Sequence, residues 1–201
     1  MARPKEFDHD QVVLKAAALF QRQGYEATSV RQLLDELELS SSSFYAAFGG
    51  KEQLLMEALA AHARIERDQL RQALEGPGQF RDKFAGLLAT LIDELSSAGG
   101  VSSLTLSAAV ELAGTKPQVL EFLSKYMEEL VEMVTELIVL AMNRGELGRG
   151  PAPEHLSRFL LFNAFNLGFV AKVTGARDDL EGYAAVALAA LDAHPNAHPT
   201  T

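Results

Sequence analysis

Residues 24–55 read GYEATSVRQLLDELELSSSSFYAAFGGKEQLL, and their reading decides the fold. Val30, Leu33, Leu34 and Leu37 fall at i, i+3, i+4 and i+7, which places them on one face of a helix. Thr28 and Ser29 precede that helix with hydroxyls suited to capping it. A second short helix starts near Ser40 and runs to about Phe48, where Gly49-Gly50 breaks the chain. Phe44 and Phe48, one turn apart, would anchor it to Val30, Leu34 and Leu37 on the helix before it. Lys51 then opens a long helix that braces the pair.

Working outward, helical periodicity dominates and no alternating strand pattern stands out. A helix from Asp8 to Gln23 carries an apolar stripe through Val12, Ala16, Leu19 and Phe20, and Gly24 is a natural stop. The long helix runs Lys51–Glu75 and is interrupted by Gly76-Pro77-Gly78. Five more are expected: Gln79–Ser97, Ser102–Ala113, Pro117–Arg144, Pro153–Thr174 and Asp178–Asp192. Pro117 and Pro153 sit in the first turn, where proline is tolerated. The fold class is therefore all-α, with about nine helices. Residues 1–50 form a small helix-turn-helix domain (8–55 with the start of the linking helix), 51–193 a second helical domain, and 194–201 a disordered tail.

Composition narrows the function. The chain has no cysteine, which removes disulfides, thiolate metal sites and cysteine nucleophiles and suits a reducing, cytoplasmic compartment. No signal peptide is legible at the N-terminus. The most apolar stretch, Phe159–Val173, is broken by Asn163, Asn166 and Lys172 and is too short to span a bilayer, so no membrane partner is expected. None of the five histidines stands in a catalytic setting, and no catalytic residue, cofactor or metal site is assigned. His62 and Glu66, one turn apart, read as a solvated helix pair, because two ligands do not make a metal site.

Net charge is −9, and residues 1–50 hold five Lys/Arg against seven Asp/Glu, so the small domain has no general basic field. A nucleic-acid face there must be locally arranged, with acids such as Asp35, Glu36 and Glu38 turned away. Its chemistry would come from Ser40, Ser41, Ser42 and Ser43, whose small size lets a helix backbone approach a major groove and whose hydroxyls can donate to phosphates. The alternative for the same run is a capped turn and nothing more. Tyr45 could send its hydroxyl to a phosphate or be a partly buried aromatic, and Lys51 could make a further phosphate contact. Arg31 is either a solvated side chain or a base reader. Arg3 and Lys5 read as a solvated arm.

The stretch resembles the N-terminal domain of tetracycline-repressor (TetR) family regulators. The resemblance is carried by Leu19-Phe20, Gly24-Tyr25, Thr28-Ser29-Val30, Leu33, Leu39-Ser40, Ser43-Phe44-Tyr45, Phe48 and Lys51-Glu52 with Leu54-Leu55. It implies a dimeric, ligand-responsive transcriptional regulator, with repression as the usual sign. Such a protein binds a palindromic double-stranded operator and is released by a small, largely apolar effector. The implied DNA-contacting set is Thr28, Ser29, Arg31, Ser40–Ser43, Tyr45 and Lys51. Two features depart from the family pattern. Glu38 stands where a glycine is usual in the turn, and Ser41, Ser42 and Ala47 are small where basic or aromatic side chains are common.

The second domain carries more large apolar residues than one surface per helix needs. Apolar Phe84, Leu87, Leu104, Phe122, Tyr126 and Phe162, with polar Thr105, Glu111, Asn163 and Asn166 among them, are candidate effector-pocket residues; a plainly packed core is the alternative. The last two helices suit a four-helix dimer interface. Phe159, Phe165, Phe169, Val170 and Val173 would come from the first, with Val186, Leu188 and Leu191 from the second; burial of these helices within one subunit is the alternative. The rival functional readings are a helical interaction module that has lost DNA binding and, behind it, a helical enzyme.

Overall fold

The computed structural model describes residues 7–97, 103–148 and 150–192. Among them there are nine helices and no strand: α1 (His9–Gln23), α2 (Val30–Leu37), α3 (Ser41–Phe48), α4 (Lys51–Glu75), α5 (Phe80–Ser96), α6 (Leu104–Leu112), α7 (Pro117–Asn143), α8 (Pro153–Thr174) and α9 (Arg177–Asp192). The arm with Arg3 and Lys5, Ser102 and the tail from residue 194 lie outside the described residues.

Helix ends follow local chemistry. The Asp8 carboxylate accepts from the Gln11 N–H, so Asp8 caps α1 and is not its first residue. Ser29 and Gln32 form a reciprocal capping box at the start of α2, and the Ser40 hydroxyl accepts from the Ser43 N–H at the start of α3. Ser103 caps α6 in the same way, so that helix starts at Leu104. α9 begins one residue earlier than the pattern suggested: Arg177 reaches Glu181 one turn on, at 2.6 Å.

The chain divides into two compact units, and the division does not fall at residue 50. The first runs to Glu66 and includes Ser103–Leu123; the second takes Arg67–Ser102 and the chain from Ser124 onward. α6 belongs with the first three helices because Leu104, Ala108, Leu112 and the following Val119 are buried in one core with Leu19, Phe20, Leu33 and Phe44. Sequence periodicity marks which face of α6 is apolar, but not which helices receive it.

In the second unit α5, α8 and α9 pack together. Two ion pairs fasten opposite ends of α5 and α9. Arg81 meets Asp192 through two bonds of 2.5 and 2.8 Å, and Arg177 meets Asp93 at 2.7 Å. The two helices are antiparallel. Between α7 and α8 the Thr135 hydroxyl donates to buried Ser157, which in turn donates to the Pro153 carbonyl. Although α8 was expected to be too polar for a membrane, its length and composition alone would allow it to cross one. Here it buries Leu160, Leu161 and Leu167 within the unit.

Glu38 closes α2 in the left-handed conformation, φ 54° and ψ 38°, and is the sole non-glycine residue with positive φ among the described residues. Its N–H reaches the Leu34 carbonyl, and the Leu39 N–H reaches that same oxygen at 3.1 Å. The turn thus forms without glycine, at a steric cost of about 1–2 kcal/mol. Glu38 is exposed. Glu38→Gly is expected to stabilise the protein by about 0.5–1 kcal/mol and raise the thermal midpoint by roughly 1–4 °C. A midpoint that stays put or falls would show the turn to be unstrained.

Candidate nucleic-acid interface

α3 has eight residues and two environments. Phe44 and Phe48 are sealed from solvent, 0% and 1% exposed, and their rings lie 5.9 Å apart. Phe7 and His9 close over Phe48 from the chain start, at ring separations of 6.2 and 5.0 Å. Ser41, Ser42, Tyr45, Ala46 and Ala47 are all exposed, and the Tyr45 ring stands edge-on to Phe44 at 5.2 Å. The apolar root fixes the helix, while its outer face is small and hydroxylated. No charged side chain lies on it.

The four serines divide their work. The Ser40 hydroxyl caps α3 and lies 3.0 and 2.8 Å from the hydroxyls of Ser42 and Ser43, so the run is an internally bonded cap whose outward members are Ser41 and Ser42. Ser29 is exposed but its hydroxyl is held by the capping box. Arg31 stands exposed on α2. Thr28 does not face solvent. It is fully buried and its hydroxyl donates to the Gly24 carbonyl at 2.6 Å, so its expected DNA contact is corrected to a structural role inside the α1–α2 turn.

Lys51 is not a free arm. Its ammonium lies 4.0 Å from the centroid of the Tyr25 ring, a cation–π distance. Burial pulls its pKa below the ordinary lysine value, against the opposing pull of Glu26 and Glu111. Lys116 approaches the same ring at 5.2 Å and pairs with Glu52 at 2.8 Å. Tyr25 is buried, which raises its phenol pKa. This bracket of Tyr25, Lys51, Lys116 and Glu52 was invisible to sequence reading, because its members meet only through folding.

The candidate pocket residues divide between the two units. Leu104, Thr105, Glu111 and Phe122 belong to the first unit, and Phe84, Leu87, Tyr126, Phe162, Asn163 and Asn166 to the second. Glu111 accepts from backbone N–H groups of the α1–α2 turn. The Thr105 hydroxyl donates to Glu66 at 2.9 Å, and the Leu104 N–H to His62 Nε2 at 3.3 Å. His62 and Glu66 are thus part-buried ties to α6, not a solvated pair. Burial alone would raise the Glu66 pKa, but bonds from His62, Ser103 and Thr105 outweigh it and hold the carboxyl below the usual range. Asn163 donates to its own helix at the Phe159 carbonyl, and Asn166 to the Tyr183 hydroxyl.

Two clefts open in the second unit, and none of the ten candidates lines either. One, of about 260 Å³, has Leu74, Phe80, Leu137, Leu140 and Ala141 in its wall with Lys83, Arg144 and Glu146 around them. The other, of about 400 Å³, is mostly charged, with Arg67, Arg71, Glu129 and Glu132 among its residues. No group of three metal-ligating side chains occurs among the described residues.

On α8, Phe159, Phe162, Asn166, Phe169 and Val173 recur at alternating steps of three and four, the spacing of a helix–helix seam. Phe159, Phe162, Phe169 and Val173 are all exposed. Phe162 therefore belongs to this outward stripe and not to an interior pocket. On α9, Gly182, Ala185, Val186 and Ala189 form an exposed face of small residues. Phe165, Val170 and Leu188 are half-buried. Leu191 is buried in its own unit and has no surface to give a partner, because α9 turns it inward with Leu180, Ala184 and Ala187.

A short helix rooted by two phenylalanines, following α2 across a left-handed turn and braced by α1, makes the N-terminal region a helix-turn-helix, the architecture of DNA-binding regulators. Residues 13–58 match the family model described as "Bacterial regulatory proteins, tetR family". The chain is similar to the uncharacterized HTH-type transcriptional regulator YezE of Bacillus subtilis (strain 168), 27% identical over 194 residues, 96% of this chain and all of that one. It is 26% identical to the HTH-type transcriptional repressor DhaR of Mycobacterium sp. (strain GP1), over 95% of this chain and 94% of that one. Among solved structures, a cysteine mutant of the TetR family transcriptional regulator CifR, complexed with 26-base-pair double-strand operator DNA, superposes with a TM-score of 0.82 at 30% identity. That match covers 94% of this chain and 99% of the other. The chain belongs to the TetR family of bacterial transcriptional regulators, which are regulators and not enzymes.

Phe44→Ala is expected to cost about 3–5 kcal/mol, because it empties a sealed site. Tyr45→Ala, on the exposed face, should change stability by no more than about 0.5 kcal/mol. Urea unfolding of both variants checks this; similar losses from the two would contradict the division of α3 into root and outer face.

Proposed function

We propose that the chain is a cytoplasmic repressor that binds a pseudo-palindromic operator as a homodimer and is released by a small, largely apolar effector. The observation that carries the reading is the outer face of α3, where Ser41, Ser42, Tyr45, Ala46 and Ala47 are exposed together over a buried root. Small side chains let a helix backbone sit deep in a major groove, and the serine and tyrosine hydroxyls can donate to phosphates or base edges. The CifR complex with operator DNA supports the same use of this fold. Arg31 is the nearest candidate for a base contact, and Lys51 for a phosphate contact once it leaves the Tyr25 ring.

Dimerisation is supported by the seam on α8 and the small-residue face of α9, which leave large aromatic surface uncovered beside close-approach surface. Two such helices from each copy would form a four-helix interface. For the effector, the cleft of about 260 Å³ is the better supported site, since Leu74, Phe80, Leu137, Leu140 and Ala141 give it an apolar wall, with Glu75, Lys83, Arg144 and Glu146 as polar groups. The acidic balance of the chain and the absence of a basic residue on α3 favour one rival, an interaction module without DNA binding.

Selection of bound fragments from genomic DNA, followed by anisotropy titration, decides between them. Affinity should fall with salt, with a slope set by the number of phosphates that cationic side chains such as Lys51 neutralise. Half-sites should lie about one helical turn apart, roughly 34–36 Å. Arg31→Ala should relax preference at one base pair by about 1–3 kcal/mol, whereas Lys51→Ala should weaken every sequence alike and lower the salt slope. No binding to any fragment at low salt would leave the interaction module standing. An unchanged ranking of mutated operators with Arg31→Ala would remove that residue from base reading.

A further inference from the structure

We infer that Glu111, on α6, is a positioning residue for DNA recognition: its carboxylate clamps the turn between α1 and α2 and so sets the pose of the reading head. This rests on the DNA-binding reading above. Glu111 Oε2 accepts from the Tyr25 N–H at 2.9 Å, and Oε1 accepts from the Glu26 N–H at 2.7 Å. The two donors are consecutive backbone amides just beyond the Gly24 cap of α1, where helical bonding has ended. One carboxylate holding two adjacent amides is a charge-assisted, two-point attachment, stronger and more directional than neutral bonds.

The turn is built to receive it. Gly24 has φ 84°, and a Cβ there would come within 3.1 Å of Glu111 Oε2 and 3.3 Å of Oε1. The absence of a side chain therefore admits the carboxylate as well as the left-handed backbone. The Thr28 hydroxyl closes the turn on the Gly24 carbonyl, and the Lys51 ammonium sits over the Tyr25 ring. The turn is short, and α2 and α3 follow it directly, so its backbone angles decide how those helices leave α1. A side chain 85 residues away in sequence from Glu26 determines them. The reading head is thus completed by α6 and is not contained in residues 8–55.

The test uses the full chain and an operator fragment selected by wild type. In Glu111→Gln the amide group retains one acceptor and turns an N–H₂ toward a backbone donor, so the two-point clamp is lost with little change in size. Operator affinity should drop about tenfold or more, while affinity for unrelated DNA changes by no more than about twofold. Amide exchange at Tyr25 and Glu26 should accelerate, with the rest of α1 protected as before. Glu111→Asp keeps the charge but shortens the reach, and it should show the same pattern if the clamp, and not the charge alone, is what acts. Equal operator affinity and equal Tyr25 and Glu26 protection in wild type and Glu111→Gln would overturn the inference. Should both variants fail to fold, exchange in the wild type decides: amides of Tyr25 and Glu26 that exchange like free loop amides overturn it, and protected ones support it. Failure of wild type to bind any fragment would instead sink the DNA reading, and the exchange measurement would still report on the clamp.

Discussion

Phe44 and Phe48 stand one turn apart on a helix only eight residues long, and both are closed off from water. A helix that short has little stability of its own, since nucleation is costly and few bonds follow it. Burying two phenyl rings, each contributing about 1.5–3 kcal/mol, is what holds α3 in place. With those positions fixed, the helical period leaves Ser41, Ser42 and Tyr45 outward. The rest of the first unit serves that seat. α1 and α2 supply Phe20, Leu33 and Leu37, α4 supplies Leu54 and Leu55, and α6 closes the core with Leu112.

The surface proposed to meet DNA carries little charge. α2 exposes Asp35 and Glu36, α3 has no basic residue, and Lys51 is partly engaged by an aromatic ring. In such a surface close approach matters more than a long-range field, because hydroxyl and backbone donors act only at contact distance. Geometry must then be tightly defined. The left-handed Glu38 and the clamped turn after α1 are two places where the backbone is held against its local preference or by a distant side chain.

The second unit answers a different demand. Exposed ion pairs join the ends of α5 and α9, and the buried Ser157 hydroxyl is satisfied by Thr135 and the Pro153 carbonyl. Its outward surface nevertheless keeps four large apolar side chains in register along α8. That uncovered aromatic surface is what the proposed dimer contact rests on.

Local chemistry was readable from the residues alone. Periodicity, caps and glycine stops act within a few positions, so the helices, the break at Gly49-Gly50 and the burial of Phe44 and Phe48 followed directly from the chain. Tertiary structure decided everything that depended on which distant surface a face would meet. A threonine in a capping position proved to be sealed inside a turn, and a glutamate that looked like a pocket residue proved to hold that turn. Phe162 and Leu191 exchanged their expected inside and outside places. The physical reason is that an apolar or hydrogen-bonding side chain carries no record in sequence of its partner. Only the packed chain, which must bury one face and satisfy each polar group at once, assigns it.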